Sequence, residues 1–165
     1  MFSDKQVNDV VELLATLDDS TKLYFGCDSQ LYKKVGKNGQ KEKWAKFATV
    51  LLVHMNGKNG CRIFRHVDTE RIFDKKMGRP QDRLMKEVYR VTALYTQLIG
   101  LVEGYDCEIH LDINPDPKHG SSCVADQAAG YVLGMTQVHP KLKPEAFAAS
   151  FGADGIHRGY DARGH

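Results

Sequence analysis

Apolar residues recur at helical spacing near the start of the chain. Val7, Val10, Val11, Leu14 and Leu17 fall on one side of a 3.6-residue repeat, and Ser3 with Gln6 fits a capping box. The spacing predicts a helix over 3–18, closed by Asp18, Asp19 and Ser20. The period then drops to two. Leu23, Phe25 and Cys27 alternate with Tyr24, Gly26 and Asp28, which predicts a strand ending at Asp28. Residues 31–43 form a Lys-rich hairpin tip that turns at Asn38-Gly39. An apolar strand over 44–55, a turn over 56–60 and an alternating strand over 61–67 complete an antiparallel meander.

The helical period then returns. Pro80 suits a first helical position, and Leu84, Val88, Val91, Tyr95, Leu98 and Val102 make an apolar stripe that Gly104 stops. Residues 107–113 read as a fourth strand and 114–120 as a loop. Ser121 or Ser122 caps a helix to Met135, whose Gly130 and Gly134 admit a close neighbour. Residues 147–151 read as a fifth strand, 153–157 as the start of a short last helix, and 158–165 as a frayed tail. A meander followed by β-α-β crossovers is an α/β fold: a mixed five-stranded sheet flanked by helices. With the fourth strand parallel to the first, the strand order is 3-2-1-4-5.

At 165 residues and 42% hydrophobic, the chain has the length and composition of one packed domain, 1–165, without repeats or linkers. No apolar run approaches the roughly 20 residues of a membrane span, and the polar N-terminus lacks a signal-peptide core. The expectation is a cytoplasmic protein with no membrane partner; the oligomeric state is not legible. The four cysteines form no C-x-x-C pair and the histidines no H-x-x-x-H spacing, so zinc is unsupported and reduced, buried thiols are expected.

Net charge is only +2, but it is unevenly spread. Residues 33–46 carry six Lys against one Glu, and residues 71–90 seven Lys/Arg against three acids. A basic rim beside an acidic remainder suggests a polyanion such as nucleic acid, contacted by Lys33, Lys34, Lys37, Lys41, Lys43, Arg79 and Arg83. The alternative is two solvated loops.

Asp28 and Asp112 fall at the ends of the first and fourth strands, which the strand order makes neighbours. Either alone is explained as a strand-terminating turn residue. Glu87 lies between Leu94 and Leu98 on a helical wheel, at the shoulder of the apolar stripe. There it must be compensated by a cation or be protonated, unless it is a helix-edge acid paired with Arg83 or Arg90. Asp154 is the fourth acid, unless it caps its own helix. Gathered carboxylates repel one another, and a divalent cation reverses the sign. Mg²⁺ or Mn²⁺ takes such hard oxygen ligands, and two ions about 4 Å apart can bracket a phosphodiester.

Several segments carry a family likeness. Gly26-Cys27-Asp28-Ser29-Gln30, Leu84-Met85-Lys86-Glu87-Val88 and Ile109-His110-Leu111-Asp112-Ile113-Asn114-Pro115 resemble the ribonuclease H-like, YkuK-type family of bacteria and phages. So do Gly130-Tyr131-Val132-Leu133-Gly134-Met135 and Lys143-Pro144-Glu145-Ala146-Phe147-Ala148-Ala149-Ser150 with Ala153-Asp154. The likeness spans about 20–157. It implies a ribonuclease H-like fold and a two-metal site. Asp28 is then its first-strand aspartate, Glu87 its helix glutamate, Asp112 its fourth-strand aspartate and Asp154 its last-helix acid. The expected function is a divalent-metal-dependent nuclease acting on RNA, RNA–DNA hybrid or structured DNA. The alternative is a catalytically silent nucleic-acid-binding or protein-interaction module on the same fold.

Overall fold

The capping box forms as predicted: Ser3 Oγ accepts from the Gln6 amide at 3.3 Å, and Gln6 Oε1 accepts from the Ser3 amide at 3.1 Å. It starts helix α1 (Asp4–Leu14). A computed structural model describes residues 1–57, 59–75 and 78–151. Asp154, the expected last helix and the tail lie outside the described residues. Helix α1 stops short of residue 18 because Thr16 and Leu17 tighten onto Leu13 and Leu14 in three-residue turns.

Strands β1 (Lys22–Val35), β2 (Lys41–His54) and β3 (Cys61–Arg71) form the meander. Strand β4 (Asp106–Leu111) lies parallel to β1, so the order is β3-β2-β1-β4. Asp28 does not end β1, which continues to Val35. What ends there is the pairing with β4, whose last partners are Cys27 and Leu111. Beyond that fork β1 and β2 run on together as a long hairpin, with Gly39 at φ 72 in its turn.

Helix α2 (Gln81–Val102) buries its stripe on one sheet face, where Phe25 and Tyr95 meet edge-on at 5.2 Å. Leu23, Phe25, Phe47, Leu51, Leu94, Leu98 and Ile109 are fully buried between the layers. Pro80 is the N-cap rather than the first helical residue. The Asp74 carboxylate does the capping, accepting from the amides of Asp82 at 2.7 Å and Arg83 at 3.3 Å. The helix expected after residue 121 begins as a 3-10 turn (Gly120–Val124) and becomes α3 (Ala125–Thr136). Gly130 and Gly134 have no close neighbour among the described residues.

No fifth strand forms at 147–151, where the chain starts a helix at Ala148. The place beside β4 is taken instead by the segment around Lys141, which makes one parallel bridge to His110. Its amide donates to Ile109 O at 2.8 Å, its carbonyl accepts from Leu111 N at 2.9 Å, and Lys143 N donates to Ile113 O at 3.0 Å. Pro140, Pro144 and the buried Ala148-Ala149 pair favour a short edge contact followed by a helical turn over a longer strand. All four cysteines are free; Cys27 is buried and Cys107 half-buried, but Cys61 and Cys123 are exposed, against expectation. Among the described residues no helix is long and apolar enough to cross a membrane.

The turn at Ala148 presses on β1. A Cβ at Gly26 would stand 2.6 Å from Ala149 N and 2.8 Å from Ala148 C, both backbone atoms. Gly26→Ala is therefore expected to destabilise the protein by about 1–3 kcal/mol in urea unfolding. An unchanged midpoint would contradict this packing.

Candidate functional site

One residue past the Cys27–Leu111 pair, β1 and the chain leaving β4 carry Asp28 and Asp112 side by side. Both are half-buried. On the neighbouring position of β1, Ser29 reaches α2: its Oγ donates to Glu87 Oε1 at 2.5 Å. Glu87 is 4% exposed. Arg83, one turn earlier on α2, donates through Nη1 to the same Glu87 oxygen at 3.0 Å and to Ser29 Oγ at 2.9 Å. The Arg83 partnership that the sequence allowed for Glu87 is thus formed. Arg83 Nε is a buried donor with no partner among the described residues.

Lys143 stands on the other side of the fork. Its backbone tie to Ile113 holds it next to Asp112, and its Nζ lies 2.5 Å from Asp112 Oδ1.

Two of these carboxyls are shifted, first by burial. Burial raises the Asp28 carboxyl above the usual range and Asp112 adds to the rise, while the Ser29 amide, Arg83 and Lys143 oppose it. Burial pushes the Glu87 carboxyl up to about 8, against the pull of Arg83 and the Ser29 hydroxyl; Asp28 and Asp112 push it further. Asp28 and Asp112 thus flank the end of the β1–β4 pairing, while Glu87 comes from α2 to the next residue of β1, Ser29, near enough for its carboxyl to feel both aspartates.

Their oxygens suit a hard divalent cation in kind, and a cation would favour the ionised form that burial disfavours in two of them. In this arrangement, however, no three His, Cys, Asp or Glu side chains among the described residues meet as a metal cage. Glu87 Oε1 is committed to Ser29 and Arg83, and Asp112 Oδ1 to Lys143.

A family model described as ribonuclease H-like matches residues 5–158. The chain belongs to the ribonuclease H-like family. No curated protein and no solved structure matches it.

This ribonuclease H-like chain distributes its basic residues unevenly. Lys33, Lys34, Lys37, Lys41 and Lys43 are all exposed on the hairpin, but on both of its faces and its turn. Arg79 is exposed before α2. Arg83 points inward to the acids rather than joining the rim, with its side chain 20% exposed. Three contributors escaped sequence reasoning: Ser29, Lys143 and His110. Ser29 and Lys143 stood inside the motifs that carried the likeness, but their partners are distant in the chain. His110 is fully buried; its Nδ1 accepts from the amides of Phe147 at 3.1 Å and Ala148 at 3.2 Å, and its Nε2 donates to Glu108 at 2.8 Å. It pins the 147–151 turn to β4, two residues from Asp112.

A carboxyl whose folded pKa lies above its unfolded value keeps a proton that the unfolded chain releases. Its stabilising contribution is full below the unfolded value of 4.5 and is lost as pH rises toward about 8. From Glu87 the protein should lose stability across that window, at up to about 1.4 kcal/mol per pH unit. Urea unfolding at a series of pH values should find this slope in the wild type and a flatter profile in Glu87→Gln. Parallel profiles would contradict the raised carboxyl.

Proposed function

We propose that the protein is a divalent-metal-dependent phosphodiesterase acting on nucleic acid, with Asp28 and Asp112 as the principal metal ligands and Glu87 and Asp154 completing the site. The observation that carries this reading is the placement of Asp28 and Asp112 at the end of the β1–β4 pairing of a ribonuclease H-like chain, with Glu87 held at the adjoining Ser29. When bound, Mg²⁺ or Mn²⁺ supplies an activated water and stabilises charge on the phosphodiester.

The chain's own residues supply placement. Parallel pairing sets Asp28 beside Asp112. Ser29 and Arg83 hold the Glu87 carboxyl toward β1. Lys143 neutralises Asp112 and is 45% exposed, free to turn toward an incoming phosphate once Asp112 is otherwise engaged. The hairpin lysines and Arg79 bind flanking phosphates.

A second reading has one observation in its favour. Lys143 and Arg83 already compensate Asp112 and Glu87 from within the chain, as in a catalytically silent binding module. One experiment separates the two. Labelled RNA, DNA, RNA–DNA hybrid and branched DNA are incubated with Mg²⁺ or Mn²⁺. Cleavage that EDTA stops, and that Asp28→Asn and Asp112→Asn each abolish while keeping the wild-type circular dichroism, supports the enzyme. Salt-sensitive, EDTA-insensitive binding without cleavage supports the silent module, and wild-type rates in both variants rule out this site.

A further inference from the structure

We infer that one face of the β1–β2 hairpin is a platform for single-stranded nucleic acid, with a base stacked on Trp44 and the strand leading to Asp28. The direction of the strand rests on the phosphodiesterase reading; the platform rests on the hairpin.

The β1–β2 register is unbroken from the Lys22–His54 pair to the Val35–Lys41 pair. Paired residues of antiparallel strands share a face, and the face alternates at each step. Asp28, Gln30, Tyr32 and Lys34 therefore share a face with Lys46, Trp44 and Glu42. Arg71, paired with Trp44 from β3, joins them. Asp28 and Tyr32 are four residues apart on β1, a span of roughly 13 Å at about 3.3 Å per residue. At the far end of this row lies a cavity of about 600 Å³, lined by Lys34, Gly36, Lys37, Asn38, Trp44 and Arg71 among others.

Trp44 is the chain's single tryptophan. Its Nε1 donates to Glu42 at 3.0 Å, and Glu42 also pairs with Arg71 at 2.9 Å, so the ring is held and its edge satisfied. The exposed Lys34 sets its ammonium over the ring, 4.9 Å from the centroid. That flexible side chain can yield the ring face to a base and meet the adjoining phosphate. Tyr32 lies directly across the strand pair and is 39% exposed. Aromatic faces set among cations bind unstacked bases with their phosphates. A duplex keeps its base faces inside, and a polyanion without bases gains nothing from the ring. Lys33 and Lys43 pair on the opposite face and take no part in the row.

The test is Trp44 emission in EDTA, which keeps metal-dependent cleavage out of the measurement. Oligothymidylate is expected to quench the emission saturably, heparin to leave it unquenched, and a blunt duplex to bind at least about tenfold more weakly. By anisotropy of labelled oligothymidylate, Trp44→Leu should weaken binding roughly tenfold or more, while Trp44→Phe, which keeps a ring, stays within about threefold. Lys5→Gln, on the exposed side of α1, should cost less than about threefold. Equal quenching by heparin or duplex, or unweakened binding by a folded Trp44→Leu, overturns the platform. Cleavage by a protein whose Trp44 no oligonucleotide quenches overturns the platform alone; quenching without any metal-dependent cleavage supports the platform and overturns only the phosphodiesterase.

Discussion

The parallel pairing of β1 with β4 is the constraint on which the site depends. It runs from Lys22 beside Asp106 to Cys27 beside Leu111 and then stops. Side chains alternate across a sheet with a period of two, so a slip of one residue would exchange the buried set Leu23, Phe25 and Cys27 for Tyr24, Gly26 and Asp28. Burial of the first set against α2 therefore also fixes where Asp28 stands relative to Asp112. The fork itself arises because β4 is short and β1 is long. Past Leu111 the chain turns away toward Asn114, while β1 continues with β2.

The site is also a problem of charge. A buried carboxylate without a partner is costly, and neighbouring acids make it more so. The protein meets this with two cations from different parts of the chain, Arg83 from α2 and Lys143 from the segment after α3, and with a hydroxyl from Ser29. Among the described residues these acids do not meet as a metal cage, and two of them are engaged by those cations. Whatever acts at this fork has to contend with those two pairs, which makes Arg83 and Lys143 as much a part of the site as the acids.

Beyond the fork the hairpin carries chemistry on both faces: β4 leaves β1 after Cys27 and β3 follows β2 only as far as the Trp44–Arg71 pair, so the tip stands clear of both. Its residues alternate between a side bearing the Lys33–Lys43 pair and a side continuous with Asp28, where Trp44, Arg71 and Glu42 lock together. A composition count merges these faces into one basic segment.

The strand order needed the further expectation that β4 lies parallel to β1; the sequence alone determined the local elements: α1 with its capping box, the three-stranded meander, the α2 stripe and β4. These follow from periodicities that each segment carries in itself. It also marked Asp28, Glu87 and Asp112, two as polar residues where strand pairing ends and one as an acid on an apolar shoulder. Tertiary structure alone decided the rest. The segment at 147–151 became a helical turn because His110 accepts its amides and Lys141 already occupies the edge of β4. Gly130 and Gly134 turned out to have no close neighbour among the described residues, and Pro80 to cap α2 with help from Asp74. Arg83 left the basic rim for Glu87, and Lys143 found Asp112. Each of these outcomes is a contact between residues distant in the chain, and such partners have no local period from which to be read.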